Sequence, residues 1–233
     1  MIRSFIALLY SALCCWIAVI ILMISSKSSN WVLFTLAKRI WSTFMLRWII
    51  CADIQVTISP KAKKLFDSGQ GAVLMSNHVS SLDITAAFVA TPTPIVFLAK
   101  ASLRRVPFLG SANYRVGTVF VEQGNIRSAK KSISTLVKTI KSGRSVLVFP
   151  EGSRSKDGKL CGFKKGGFHL ATQSGASIVP MYIDGVYEIL PVGSWRLRWP
   201  RKPVTVKFGD PIYGKNVDEL RELTFDSISK LSS

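Results

Sequence analysis

Acidic residues are scarce in this chain, and that scarcity is its first chemical feature. Thirteen Asp and Glu stand against 31 Lys and Arg, which gives a formal net charge of +18 at pH 7. Such an excess favours polyanionic partners, either nucleic acid or the anionic headgroups of a membrane. Because hydrophobic residues make up 48% of the chain and its mean hydropathy is +0.30, the balance favours the lipid surface.

Metal ligands and redox pairs are scarce as well. The chain has two histidines and four cysteines, and no two cysteines form a C-x-x-C pair. These counts do not fit the usual ligand spacings of a zinc site, so no metal is expected. Cys14 and Cys15 are adjacent and cannot easily pair with each other, which makes reduced thiols the simplest account. The G-x-S-x-G pattern of serine hydrolases is also missing.

A long apolar run is present at the amino end. Phe5 to Ile24 is interrupted only by Tyr10 and Ser11, and a run of this length can cross a hydrocarbon core. The run is too long for a typical signal peptide, and no clear small-x-small cleavage site follows it. Arg3 precedes the run and Lys27 follows it, so the flanking charge does not decide an orientation.

A second helix is predicted from Trp31 to Ile50, after a Ser-rich turn from Ser25 to Asn30. Its polar side chains fall largely on one face and its aromatic side chains on the other. Tryptophans together with cations favour a helix that lies in the membrane interface, and a helix packed on the domain is the alternative. Residues 1–52 are therefore predicted to form a two-helix membrane-associated motif, which either spans the bilayer or dips into one leaflet.

The rest of the chain alternates between strand-like and helix-like segments. Strands are predicted at Asp53–Ile58, Ala72–Met75, Ile95–Ala99, Gly117–Val121, Ser145–Phe149, Ile178–Ile183 and, at a sheet edge, Val204–Phe208. Helices are predicted at Ile84–Ala90, Ala129–Lys141, Phe168–Ser174 and Val217–Leu231, with Pro60–Ser68 as a basic connector or helix. This alternation indicates an α/β fold, in which residues 53–233 form a single domain with a mainly parallel mixed sheet flanked by helices.

The first polar segment that follows a predicted strand is S-N-H-V-S-S-L-D, residues 76–83. His78 would lie at the carboxyl end of a strand, where α/β folds place their chemistry. Asp83, just inside the next helix, could hold the imidazole as an oriented general base. The alternative is structural, with Asp83 closing the first helical turn beside a serine hydroxyl and His78 satisfying a turn carbonyl. Because the pattern fixes only three positions, both interpretations stay open.

The second polar segment is F-P-E-G-S-R, from Phe149 to Arg154. Gly152 allows the backbone to approach a ligand closely, and Arg154 offers the planar donor fork that suits phosphate. Lys164 and Lys165 add positive charge nearby in sequence. A solvated turn is the alternative interpretation.

Together these segments resemble the glycerolipid acyltransferase family. The family's N-H-x-x-x-x-D block matches at Asn77, His78 and Asp83, and its F-P-E-G-[ST]-R block matches throughout residues 149–154. Residues 99–110 resemble its A-K-x-x-L-x-x-x-P-x-x-G stretch, and residues 117–122 and 177–180 resemble its remaining blocks. One block normally closes with Arg where this chain has Gln123. The candidates to supply that charge instead are Arg104, Arg105 and Arg127.

The resemblance implies an O-acyltransferase that moves an acyl chain from a thioester to the sn-2 hydroxyl of lysophosphatidic acid and makes phosphatidic acid. His78, held by Asp83, would be the general base of a direct transfer. The substrate-binding residues that it implies are Asn77, Lys100, Glu151, Gly152, Ser153 and Arg154. Acyl-CoA or acyl carrier protein would serve as donor, and no other cofactor is implied. The enzyme would work at the cytoplasmic face of a membrane, the bacterial inner membrane.

Two other functions stay open. The same fold could acylate a different acceptor, such as glycerol-3-phosphate, another lysophospholipid or a lyso-aminolipid. The more distant alternative is a non-enzymatic basic protein that binds anionic membrane or nucleic acid. It is supported by W-R-L-R-W-P-R-K, residues 195–202, where aromatic and cationic residues interleave. That pattern suits an interfacial membrane anchor equally well, and nucleic acid is not the expected partner.

Overall fold

The computed structural model describes residues 2–24, 29–122 and 126–232. Most of the turn predicted from Ser25 to Asn30 lies outside the described residues, and so does Gln123. The strands are β1 (Ile54–Ile58), β2 (Val73–Ser76), β3 (Ile95–Lys100), β4 (Val119–Val121), β5 (Ser145–Val148), β6 (Ile178–Asp184) and β7 (Val204–Phe208). They form one seven-stranded sheet in the order β1-β7-β6-β2-β5-β3-β4.

Only β6 and β7 pair antiparallel, and every other neighbouring pair is parallel. The predicted α/β fold with a mainly parallel mixed sheet is thereby confirmed. The central strands β2 and β5 are buried at every position. Such continuous burial fits their mainly apolar sequences, because helices cover both faces of a parallel sheet.

The edge position predicted for β7 is wrong. The strand lies between β1 and β6, and all five of its residues pair with β1 from Ile54 to Ile58. The alternation of buried and half-buried residues along β7 resembles an edge pattern. The same alternation occurs here in an inner strand, because Thr205 and Lys207 lie on one face of the sheet and are only half-buried.

A 3₁₀-helix, Ala101–Arg105, follows β3 in the described part of the chain, and nine further helices accompany the sheet. They are α1 (Ile2–Ile24), α2 (residues 29–50), α3 (Pro60–Asp67), α4 (Leu82–Ala90), α5 (Leu109–Val116), α6 (Ile126–Lys141), α7 (Gly166–Ser174), α8 (Val186–Ile189) and α9 (Val217–Ser232). The segment after β1 is a helix rather than a connector, and the hydroxyl of Ser59 caps it by accepting from the Ala62 N–H at 3.2 Å. The sequence did not predict α5 and α8, which are short and lack a clear apolar period.

Helices α1 and α2 run antiparallel to each other. The Tyr10 hydroxyl donates to the Ile40 carbonyl at 2.9 Å, and Arg3 Nε donates to the Ile49 carbonyl at 3.0 Å. Helix α1 is long and apolar enough to cross a membrane, and most of its side chains are not buried. A side-chain contact between Trp41 and Phe88, with ring centroids 6.1 Å apart, packs α2 on α4.

The second helix has a buried side, which packs on the domain, and an exposed side. Its leucine-rich side is buried on the domain, with Leu33 and Leu46 almost inaccessible to solvent. Two of its three tryptophans face outward, at its two ends, where Trp31 is 51% and Trp48 is 68% exposed. A helix that packs through leucines and exposes tryptophans is suited to the boundary between a protein and a lipid surface.

Candidate active site

The two polar segments meet at one edge of the sheet. Strands β2 and β5 are parallel neighbours, with Met75 opposite Val148, so their carboxyl ends lie side by side. The turn after β2 carries His78, and the loop after β5 begins at Phe149. The rings of these two residues stack with their centroids 3.9 Å apart and their planes 13° from parallel. Residues about seventy positions apart in sequence therefore form a single site.

The imidazole of His78 is held by Asp83. The distance from His78 Nδ1 to Asp83 Oδ2 is 2.6 Å, the carboxylate is fully buried, and the imidazole side chain is 17% exposed. Because Nδ1 faces a carboxylate, that nitrogen carries the ring proton. The lone pair then lies on Nε2, which makes no hydrogen bond to any described residue. A base oriented in this way can take a proton from a hydroxyl.

Asp83 also ties the start of α4 to the turn that precedes it. Its Oδ2 accepts from the backbone N–H groups of Val79 at 2.8 Å and Ser80 at 2.9 Å. The Ser80 hydroxyl accepts from the Leu82 N–H at 3.2 Å and donates to the Leu190 carbonyl at 2.7 Å. The capping interpretation and the general-base interpretation are therefore compatible, since one carboxylate oxygen serves both.

Glu151 ties the loop after β5 to the backbone of His78. Its Oε1 accepts from the His78 N–H at 2.8 Å, and its Oε2 accepts from the Cys161 N–H at 3.1 Å. The His78 carbonyl in turn accepts from the Ser155 N–H at 2.7 Å. Burial raises the pKa of the Glu151 carboxyl, and the hydrogen bonds from the two N–H groups oppose that rise. Both oxygens are used by the backbone.

Asn77 lies behind the site rather than in it. Its side chain is 3% exposed, its Nδ2 donates to the Ile183 carbonyl at 2.9 Å, and its Oδ1 accepts from the Ile183 N–H at 2.8 Å. The amide thus continues the pairing of β2 with β6 beyond the last residue of β2. Asn77 was predicted to bind substrate; its burial and its bonds to Ile183 and to the Ser76 hydroxyl favour a supporting role.

Two cations lie on the loop after β5. Arg154 is exposed, and its Nη1 donates to the Ser81 hydroxyl at 3.2 Å. Gly152 has φ +74°, and a Cβ added there would lie 2.8 Å from Nζ of Lys164. The absence of a side chain at Gly152 therefore lets the Lys164 amine lie over the loop. Neither cation pairs with a carboxylate in the part of the chain that the structure describes.

The remaining predicted residues lie at the same edge of the sheet without touching His78. Lys100 is exposed at the carboxyl end of β3, the strand next to β5. Ser153 is an exposed residue of the loop between Gly152 and Arg154. Sequence reasoning missed the ring of Phe149 and the hydroxyl of Ser81. The signal for Phe149 was present, because it opens the F-P-E-G-S-R block.

A cavity of about 410 Å³ adjoins the site. Arg154 and Ser81 line it together with side chains of α1, α2 and the loop after α8. Its lining is mainly apolar and includes Leu8, Trp41, Met45, Leu82 and Leu197. The site thus combines an oriented base, two cations and an apolar space.

Comparison with known proteins agrees with this chemistry. The acyltransferase family model matches residues 53–184. A chloroplastic 1-acyl-sn-glycerol-3-phosphate acyltransferase of Brassica napus is 32% identical over 182 residues, which cover 78% of this chain and 51% of that protein. The enzyme of the same name from Borreliella burgdorferi is 34% identical over 58% of this chain and 52% of its own length. The chain spans about half the length of these curated relatives.

A solved structure shows the same fold. The crystal structure of the 1-acyl-sn-glycerophosphate acyltransferase of Thermotoga maritima matches with a TM-score of 0.66 at 22% identity, over 99% of this chain and 98% of that one. The family model covers more than half of the chain and includes both polar segments. By that match, and in agreement with the resemblance of its motifs, this chain belongs to the acyltransferase family.

Proposed function

We propose that the protein transfers an acyl chain from a thioester to the sn-2 hydroxyl of lysophosphatidic acid and so makes phosphatidic acid. The observation that carries this proposal is His78 held by Asp83, with its Nε2 not bonded to any described residue. Arg154 and Lys164 lie on the neighbouring loop without a carboxylate partner among the described residues, and Arg154 lines an apolar cavity. The base suits a hydroxyl, the cations suit a phosphate, and the cavity suits a hydrocarbon chain. The names of the similar proteins support the same acceptor.

In the proposed reaction Nε2 of His78 accepts the proton of the acceptor hydroxyl as its oxygen attacks the thioester carbonyl. The new carbon–oxygen bond forms, the carbon–sulfur bond breaks, and the thiolate leaves with the proton returned by the imidazolium. Asp83 stabilises the imidazolium that exists in between. A thiolate is a good leaving group, so the transfer is direct. Acyl-CoA or acyl carrier protein supplies the thioester.

The phosphate of the acceptor is assigned to Arg154 and Lys164. A charge-assisted contact to phosphate requires a donor that is not neutralised by a carboxylate, and both side chains meet this condition. The backbone at Gly152 lies beside the Lys164 amine. Lys100, at the end of the neighbouring strand, is a further candidate contact. Asn77 and Glu151 are positioning residues in this proposal.

Residues 1–52 are proposed to hold the site against one leaflet, with residues 53–233 as the catalytic domain. Helix α1 lies alongside α2, which itself packs on α4, so the proposal is a helical hairpin that dips into the bilayer. Exposed apolar side chains on α1, such as Phe5 at 62% and Leu9 at 55%, support it. The cytoplasmic face, in a bacterium that of the inner membrane, is assigned because thioester donors are cytoplasmic.

The test is acyl transfer by the purified full chain, measured by mass spectrometry with both thioester donors. Acceptors would be lysophosphatidic acid, glycerol-3-phosphate, a lysophospholipid with a blocked phosphate, a lyso-aminolipid and phosphate-free monoacylglycerol. We expect lysophosphatidic acid to be acylated fastest and His78→Ala to abolish turnover. Faster acylation of the phosphate-free acceptor, or near-normal turnover by His78→Ala, would contradict the proposal.

A further inference from the structure

A loop that the proposed reaction does not use carries exposed aromatic and cationic side chains together. It comprises residues 195–202, between α8 and β7, and is called the Trp–Arg loop below. Trp195 is 82% and Trp199 is 66% exposed. The loop also carries Arg196, Arg198 and Arg201, which are exposed and have no carboxylate partner among the described residues. Exposed apolar surface of this kind is costly in water, so two outward tryptophans among these cations indicate a binding surface.

The conformation of the Trp–Arg loop is fixed by hydrogen bonds. The Arg196 N–H donates to the Ser194 hydroxyl at 3.1 Å, and the Arg198 N–H donates to the Ile189 carbonyl at 2.9 Å. Leu197, between the two arginines, is only 9% exposed. The loop therefore buries its central leucine and presents the residues on either side to the outside.

The same loop is attached to the amino end of α1. The Leu197 N–H donates to the Ser4 hydroxyl at 3.0 Å, and the guanidinium of Arg3 lies over the Trp199 ring, 3.8 Å from its centroid. On the same face of α1 as Ser4, Leu8 is 56% exposed and lines one cavity together with Trp195 and Leu197. The loop and this face of α1 thus border one apolar surface.

We infer that the Trp–Arg loop binds the interface of an anionic phospholipid leaflet, with its tryptophans at the boundary of headgroups and acyl chains and its arginines on lipid phosphates. Tryptophan prefers this boundary, and basic residues are attracted to anionic headgroups. Nucleic acid would match the charge but would leave the exposed Leu8 facing a polyanion, so a lipid surface fits the whole patch better.

The position of the loop gives this contact a consequence for the enzyme. Trp195 and Leu197 line the cavity that Arg154 also lines. A lipid surface bound at the Trp–Arg loop would therefore lie at the wall of the space into which the proposed acceptor inserts. The inference rests on the proposed function for the identity of that acceptor, whereas binding of the loop to lipid can be tested without turnover.

The first test measures the depth of the two tryptophans in vesicles. Full-length protein and a Trp195→Phe/Trp199→Phe variant would be reconstituted into vesicles of anionic phospholipid brominated near the headgroup end of the acyl chains. The difference between their emission spectra reports these two of the six tryptophans in the chain. We expect the brominated lipid to quench most of the emission that these two tryptophans contribute, and aqueous iodide to quench little of it. Quenching by iodide alone would overturn the inference.

The second test removes charge. An Arg196→Gln/Arg198→Gln variant, in otherwise native full chain, would be compared with Lys63→Gln/Lys64→Gln, which removes two exposed cations from α3. We expect the arginine variant to lose most of the additional quenching that anionic lipid gives over neutral lipid, and the lysine variant to keep it. Equal loss in both variants would mean that only net charge matters and would overturn the inference.

Two further measurements separate the possible failures. Binding of a labelled RNA oligonucleotide that disappears in the arginine variant, with the tryptophans unquenched by lipid, would assign the loop to nucleic acid instead. Acylation of lysophosphatidic acid would be assayed in the same vesicles. Normal acylation with unquenched loop tryptophans would overturn the loop assignment alone. Quenched tryptophans without acylation would overturn the proposed function and leave the loop assignment standing.

Discussion

Asp83→Asn tests the proposed mechanism with little disturbance to the fold. In the native chain Asp83 Oδ2 accepts from His78 Nδ1, Val79 N–H and Ser80 N–H, whereas Oδ1 is buried and makes no hydrogen bond among the described residues. An asparagine can place its amide oxygen where Oδ2 lies and keep all three bonds. Its NH₂ group then takes the place of Oδ1. The substitution removes the negative charge and leaves the shape of the turn.

The expected loss in rate follows from the charge. When His78 accepts a proton, the imidazolium lies 2.6 Å from a fully buried carboxylate. An amide oxygen in that place gives a neutral acceptor, and hydrogen bonds between charged partners are roughly twice as strong as neutral ones. General-base catalysis as a whole supplies about 10²–10⁴-fold in rate. We therefore expect kcat to fall by about 10²–10³-fold, or about 3–4 kcal/mol in activation free energy.

The assay is steady-state acylation of lysophosphatidic acid, with thermal unfolding measured on the same samples. We expect a melting temperature close to that of the native protein. The double variant His78→Ala/Asp83→Asn should be no slower than His78→Ala alone, because Asp83 acts through the imidazole. Activity of Asp83→Asn within a few fold of native would refute the reasoning. So would additive losses in the double variant.

Three further predictions concern the phosphate, the loop after β5 and the membrane. Arg154→Ala should raise KM for lysophosphatidic acid by about 10–150-fold and leave KM for the thioester nearly unchanged, because one charge-assisted contact of roughly 1.5–3 kcal/mol is lost. Lys63→Ala is the control, and an equal rise of KM for both substrates would contradict the assignment of Arg154. Glu151→Gln should lower the free energy of unfolding by about 1–3 kcal/mol, since one of the two backbone N–H groups would face an amide NH₂. Because burial raises the pKa of Glu151, native stability should decline as pH rises above the ordinary Glu value of about 4.3, and urea titrations of the variant should lack that decline. Full-length protein should remain in the membrane fraction through a high-salt wash and leave only with detergent. The reason is that salt screens headgroup attraction within about 8–10 Å but does not weaken hydrophobic insertion. Release by salt alone would rule out an inserted hairpin.

The sequence by itself predicted the features that depend on local patterns. The alternation of apolar runs with helical periods determined the α/β class, because each run can only be buried as a strand or a helix of a layered domain. The pairing of His78 with Asp83 was also predictable, since a turn followed by a helix brings residues five apart together. The apolar run from Phe5 to Ile24 needed no structure, because length and composition decide whether a helix can enter a bilayer.

The tertiary structure decided what depends on residues far apart in the chain. The motif predicts Asn77 as a site residue, but its amide bonds to the backbone N–H and carbonyl of Ile183, 106 positions away. Glu151 bonds the backbone N–H of His78 across 73 positions and so becomes a support rather than a contact. Strand β7 has the alternation of an edge strand, yet the pairing of β1 places it inside the sheet.

For the Trp–Arg loop, too, the sequence predicted part of the answer and the tertiary structure decided the rest. Its composition indicated an interface with a polyanion or a membrane and could not choose between them, because both attract cations and aromatic rings. The contacts of Leu197 with Ser4 and of Trp199 with Arg3 place the loop against α1, where the exposed Leu8 lines the same cavity as Trp195. Which partner a basic aromatic segment suits depends on the surface beside it, and that neighbour is determined only when the chain folds.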